Sequence, residues 1–92
     1  MIEIAVNNLA AATGARTVTG EADRVCRGCV IDSRQVEEGT IFVAFPGEKV
    51  DGNDFASCAI ESGAGAVVMT REPDAELLSL AHEKGCAILA TP

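Results

Sequence analysis

Apolar residues in this chain fall in short runs broken by polar punctuation, and the runs follow two different periods. Residues 2–5, 15–18, 25–31, 40–45, 64–69 and 87–90 are extended in pattern and read as strands. Between them lie three stretches with helical spacing. Residues 7–13 are Ala-rich, with Asn7 or Asn8 as a cap and Gly14 as a stop. Residues 54–62 set Phe55, Cys58, Ala59 and, less regularly, Ile60 on one side, with Asn53 or Asp54 as the cap and Gly63 as the stop. Residues 74–84 do the same with Leu77, Leu78, Leu80 and Ala81. Turns are expected at residues 20–23 and 37–39, and a loop at 46–53. The strand–helix–strand–helix–strand order of the second half calls for parallel crossovers, which are right-handed almost without exception. The expected fold class is α/β, a small mixed sheet with flanking helices. The pattern leaves open whether residues 1–24 join that sheet or pack beside it.

Composition narrows what such a domain can do. Ninety-two residues make one domain, in which roughly 60–65% of the unfolded surface becomes buried. Hydrophobic residues make up 48% of the chain, yet there are three Phe and no Trp or Tyr, so the core must be Ala, Val, Ile and Leu. Aromatic platforms for stacked bases are missing, and a formal charge of -7 repels a polyanion, so nucleic acid is not an expected partner. A small anionic ligand needs only a few converging basic groups. No signal peptide or membrane span is evident, since no window approaches the ~20 apolar residues required, and a cytoplasmic location is expected. In that reducing setting Cys26, Cys29, Cys58 and Cys86, all in apolar or strand-like contexts, read as buried thiols. The end of the sequence directly after the last strand reads as a domain boundary, making residues 1–92 the leading domain of a longer protein.

Several motifs resolve into structural readings. Cys26-Arg27-Gly28-Cys29 has the gap of a zinc knuckle or redox pair but no second pair to complete it, so no metal is expected. His82 reads as a solvated helix residue. Gly63-Ala64-Gly65 follows a helix and opens a strand, the reverse of a dinucleotide-binding loop. No G-x-x-x-x-G-K-[ST] sequence occurs, so the chain supplies no ATP cradle of that kind. Asp32-Ser33-Arg34 differs, because it sets a hydroxyl and a guanidinium at the end of an apolar strand. Arg34 can fork onto phosphate oxygens or onto a carboxylate such as Asp32 or Asp51. Ser33 can donate a hydrogen bond, but no base is placed to activate it, and no catalytic residue is assigned. The loop from Gly47 through Glu48, Lys49, Val50 and Asp51 to Gly52 has glycines at both ends, fit to wrap a base or sugar. Asp51-Gly52 is also an ordinary turn dipeptide, and Asp54 an ordinary cap.

Taken together, D-S-R at 32–34, G at 39, F-V-A at 42–44, G at 47, D-G at 51–52, D-F at 54–55 and G-A at 63–64 resemble the N-terminal domain of the Mur ligases, over about residues 30–69. That resemblance implies a three-domain, ATP-dependent amide ligase of peptidoglycan synthesis, whose first domain binds the UDP end of a UDP-N-acetylmuramoyl peptide. ATP and magnesium would belong to a central domain outside this chain, the partner of this one. There ATP would phosphorylate the peptide carboxylate, and an amine would attack the acyl phosphate. Carried over by position, Ile31 and Ser33 would touch the uridine diphosphate, and Glu48, Lys49 and Val50 would close over it. Arg34 and Lys49 would offset the domain's negative charge there. Asp32, Gly39, Gly47, Asp51, Gly52 and Asp54 would shape the motif. The opening Met1-Ile2, with Leu9-Ala10, Thr13-Gly14 and the 47–52 loop, resembles the members that add D-alanyl-D-alanine; those that add a diamino acid share nearly all of the core motif. Asn53 stands where the family commonly has His, and Pro46 where it often has Lys. The competing expectation is a protein-interaction module with the same fold and no nucleotide.

Overall fold

A computed structural model describes residues 3–20, 25–44 and 55–91. Its centre is a sheet of β4 (Cys29–Val30), β5 (Ile41–Val43), β6 (Ala66–Met69) and β7 (Ala87–Ala90), parallel and adjacent in chain order, with β2 (Arg16–Thr19) antiparallel along the outer side of β7. The crossovers are α2 (Ala56–Glu61) from β5 to β6 and α3 (Ala75–Lys84) from β6 to β7. Register then assigns side chains to faces. Val67 lies beside Phe42 and Ile88, and Ala66 beside Ile41 and Ala87. Phe42, Val67, Met69 and Ile88 accordingly pack with Ala56, Ala59, Ile60 and Ala81 of the two helices. Ile41, Ala66, Val68, Ala87 and Leu89 pack on the opposite face. Every residue of β6 and β7 is buried, which is why these strands read as unbroken apolar runs: a parallel strand covered on both faces has no solvent side to mark with polar residues.

The second face is covered by the first part of the chain. A two-stranded antiparallel ribbon of β1 (Glu3–Ala5) and β3 (Val25–Arg27) joins α1 (Val6–Thr13) to place Val6, Leu9 and Cys26 against the sheet. The question left open by pattern has a divided answer: β2 joins the sheet, and β1 packs beside it.

Four expectations need correction. Residues 25–31 form two strands in two sheets, because Gly28 turns the chain at φ 73° and its carbonyl then accepts from Ile41 N at 3.0 Å. Neither Asn7 nor Asn8 caps α1; the cap position is Ala5, without a side-chain bond, and both Asn lie in the first turn. The buried stripe of α2 is Ala56, Ala59 and Ile60. Phe55 stands before the first turn, 39% exposed, so it is off that stripe, and Cys58 points to solvent. Cys26 and Cys86 are buried as expected, whereas Cys58 and Cys29, on the edge strand β4, are exposed. The helix over 74–84 forms as read, with Asp74 Oδ1 accepting from Leu77 N at 2.8 Å and Gly85 closing its end. His82 is exposed on it, and Gly63 follows the last turn of α2 as a stop. Asn53 and Asp54, the expected caps of α2, lie outside the described residues.

At the edge where the parallel strands begin, the backbone is cross-linked. Gly39 N donates to Gly63 O at 2.9 Å, Gly65 N to Thr40 O at 2.9 Å and Ala87 N to Gly65 O at 3.0 Å. Gly65 leaves little room for a side chain: a Cβ there would sit 3.1 Å from both Cys26 Sγ and Gly39 O, a crowded approach that the neighbours would have to relieve. Among the described residues no helix is long and apolar enough to cross a membrane.

Candidate functional site

Because β4 to β7 run parallel, their carboxyl ends share one edge, the edge where open α/β sheets receive ligands. After β4 the chain enters one turn of 3-10 helix at Ser33–Gln35. Asp32 organises this turn. Its carbonyl accepts from Gln35 N at 2.9 Å, and its Oδ1 accepts from Arg34 N at 2.9 Å. The same carboxylate holds the guanidinium of Arg34, with Nε donating to Oδ1 at 3.0 Å and Nη2 to Oδ2 at 2.8 Å. Of the two carboxylates named for Arg34, Asp32 is thus its partner here. The side-chain fork from Arg34, followed by the backbone N–H of the same residue, holds the Asp32 carboxyl down at about 2. The fork in turn raises Arg34 above its ordinary value.

Ile31, at the head of the turn, is 67% exposed. A carboxylate held near 2 is a poor proton acceptor at neutral pH, so Asp32 is suited to holding Arg34 and unsuited to base catalysis.

The structure brings Ile31, Asp32, Ser33 and Arg34 together on one turn. Gly39 is elsewhere, in the backbone cross-links at the opposite edge, where its carbonyl accepts from Arg27 N at 2.8 Å. Gly47, Glu48, Lys49, Val50, Asp51, Gly52 and Asp54, with Pro46 and Asn53, fall outside the described residues. Cys26 and Cys29 belong to different sheets, and partial burial pushes the Cys29 thiol up, away from the reactive thiolate. Among the described residues no three His, Cys, Asp or Glu side chains gather to hold a metal ion.

Sequence reading missed a second part of this edge. A cleft of about 360 Å³ opens at the end of β6, with Met69, Leu77 and Leu80 as its apolar wall and Ser57, Arg71, Asp74 and Glu76 as its polar one. Beside it Arg16 of β2 pairs with Glu72, tying the antiparallel strand to the segment after β6. The signal was the polar run Arg71-Glu72-Pro73-Asp74 between a buried strand and a helix.

A family model described as Mur ligase family, catalytic domain, matches residues 25–91. The chain belongs to the Mur ligase family. It is 50% identical over 60 residues to the UDP-N-acetylmuramoyl-L-alanyl-D-glutamate--2,6-diaminopimelate ligase of Haemophilus influenzae (strain 86-028NP), covering 65% of this chain and 12% of that protein. The ligase of the same name from Bacillus licheniformis is 43% identical over 58 residues, 63% of this chain and 12% of its own length. The chain therefore aligns with about one eighth of each of these relatives. Among solved structures, MurF from Acinetobacter baumannii superposes at a TM-score of 0.78 with 22% identity, over 99% of this chain and 18% of that one. This likeness gives the fold: that of the Mur ligase N-terminal domain, a five-stranded mixed sheet with helices. MurF from Thermotoga maritima, solved in complex with ADP, shares 39% identity at a TM-score of 0.50, over 53% of this chain and 12% of that one. The sequence has no G-x-x-x-x-G-K-[ST] loop.

Proposed function

We propose that this chain is the N-terminal, substrate-anchoring domain of a peptidoglycan Mur ligase, binding the UDP end of a UDP-N-acetylmuramoyl peptide. The observation that carries this reading is the Asp32–Arg34 turn, preorganised at the carboxyl end of β4 within the stretch that matches the family. Ile31 and Ser33 would meet the uridine end, Arg34 the diphosphate, and Glu48, Lys49 and Val50 the outer side of the nucleotide. ATP and magnesium would be bound by a separate central domain of the same protein, so the 92-residue chain is inactive by itself.

The proposed amine donor is D-alanyl-D-alanine, as in MurF. It is supported by the resemblance of the opening residues and the 47–52 loop, and by 39% identity to the Thermotoga maritima enzyme. A MurE-type reading, with a diamino acid as donor, is favoured by the 50% identity to the diaminopimelate ligase. Presenting the full-length enzyme with each amine in turn separates the two.

An amide NMR titration with UDP-N-acetylmuramoyl-tripeptide, with ADP as control, tests the binding role. Saturable shifts at residues 31–34 with the muramoyl ligand alone are expected. No shift at millimolar ligand would turn the reading toward an interaction module.

A further inference from the structure

Arg34 is a long side chain, 87% exposed, at a place where a flexible guanidinium would sample many rotamers. Asp32 removes that freedom twice, taking the Arg34 backbone N–H on Oδ1 and the Nε and Nη2 donors on its two oxygens. A guanidinium has five N–H groups in one plane, and a carboxylate bound along the Nε–Nη2 side leaves the Nη1 donors and one Nη2 donor on the other side. We propose that Asp32 is a positioning residue for phosphate recognition, fixing the Arg34 plane so that its second N–H edge is ready for the diphosphate oxygens of the substrate. The inference rests on the binding role above and deepens it.

Two consequences follow from the geometry. The Asp32–Arg34 pair is neutral as a unit, so its recognition of phosphate depends on directed hydrogen bonds more than on net charge. The ordering cost of Arg34 is met within the turn before any ligand arrives, and preorganisation of this kind raises affinity without a new contact.

The test is a pair of titrations, UDP and uridine, followed by amide NMR on the wild-type chain and on Asp32→Asn. The Asn side chain can still accept from Arg34 N but loses the charge that holds the fork. A UDP affinity weaker by about threefold or more, with uridine affinity unchanged, is the expected result for an exposed charge-assisted pair. Arg34→Met, which leaves Asp32 and its backbone bond in place, should reproduce the loss, and the double variant should be no weaker than either single one. Equal weakening of UDP and uridine in Asp32→Asn would reduce Asp32 to a shaper of the turn and overturn the proposal. So would full UDP affinity in either single variant. Failure of the wild-type chain to bind both UDP and UDP-N-acetylmuramoyl-tripeptide would remove the binding role itself, a result distinct from a variant that matches the wild type.

Discussion

The two edges of the sheet are built by different means. Where the parallel strands begin, backbone meets backbone: Gly39, Thr40, Gly63, Gly65 and Ala87 exchange main-chain hydrogen bonds, and Gly20 and Gly65 allow close approach. Where they end, Ala44 N and Thr91 N still donate to Val68 O and Met69 O, but side-chain ion pairs are added, Arg34 to Asp32 and Arg16 to Glu72, and open clefts lie between the helices and strands. The first edge tolerates little added volume, and the second tolerates charge and chemical variety. Packing constraint is greatest at the first edge, and the site proposed above lies at the second.

Substitution at the closed edge should produce the largest effect. Gly20 sits at φ 107°, and a Cβ there would come within 2.5 Å of Ala87 Cα, a backbone atom that cannot swing aside. Gly20→Ala should therefore cost about 3 kcal/mol or more, combining left-handed strain with overpacking. Urea unfolding would measure it, and a loss below about 1 kcal/mol would show that the edge is less rigid than the contacts imply. At the open edge, removing the cap of α3 with Asp74→Ala should cost about 1 kcal/mol, since one first-turn N–H loses its acceptor. A loss as large as that of Gly20→Ala would erase the contrast between the edges.

The smallest effect concerns pH. Asp32 has a folded value lowered from 3.8 to about 2, so its contribution is fully present above the unfolded value and is lost as pH falls through the folded one. Between about pH 4 and pH 2, stability from this group should decline with acid, with no change above that window. A carboxyl NMR titration should place the Asp32 midpoint near 2 in the wild-type chain. In Arg34→Met the midpoint should move up, because the dominant fork is gone while the backbone bond stays. An unmoved midpoint would mean that the fork is not what lowers it.

Legibility in the sequence followed the same division. The crossovers from β5 to β7 were readable because buried parallel strands are continuous apolar runs, Gly63 marks the end of α2, and Leu77, Leu78, Leu80 and Ala81 give α3 its helical spacing. The break at Gly28 was not, since Val25 to Ile31 is uniformly strand-like and only the pairing of its two halves with different partners separates them. The stripe on α2 was read correctly at Ala59 and Ile60 but misplaced at Phe55 and Cys58, because Phe55 looks like its anchor while small Ala56, which carries little periodic signal, is the residue buried. At the site, the D-S-R triplet was visible, and Asp32 was one of two carboxylates within reason for Arg34. What distance in sequence could not convey was that one carboxylate serves both the backbone and the guanidinium of the same residue.

The antiparallel strand β2 has one more implication, for the order in which the sheet is assembled. Its partner β7 is the last strand in the chain, and Arg16 lies opposite Ala90. The parallel strands are joined by crossovers between sequence neighbours, whereas the β2–β7 ladder closes a loop from Arg16 to Ala90. Loop-closure entropy grows only with the logarithm of length, but among the ladders of this sheet it is greatest here. The strand that seals the outer side of β7 is therefore the one with the most non-local pairing, and it raises the contact order of an otherwise locally connected fold.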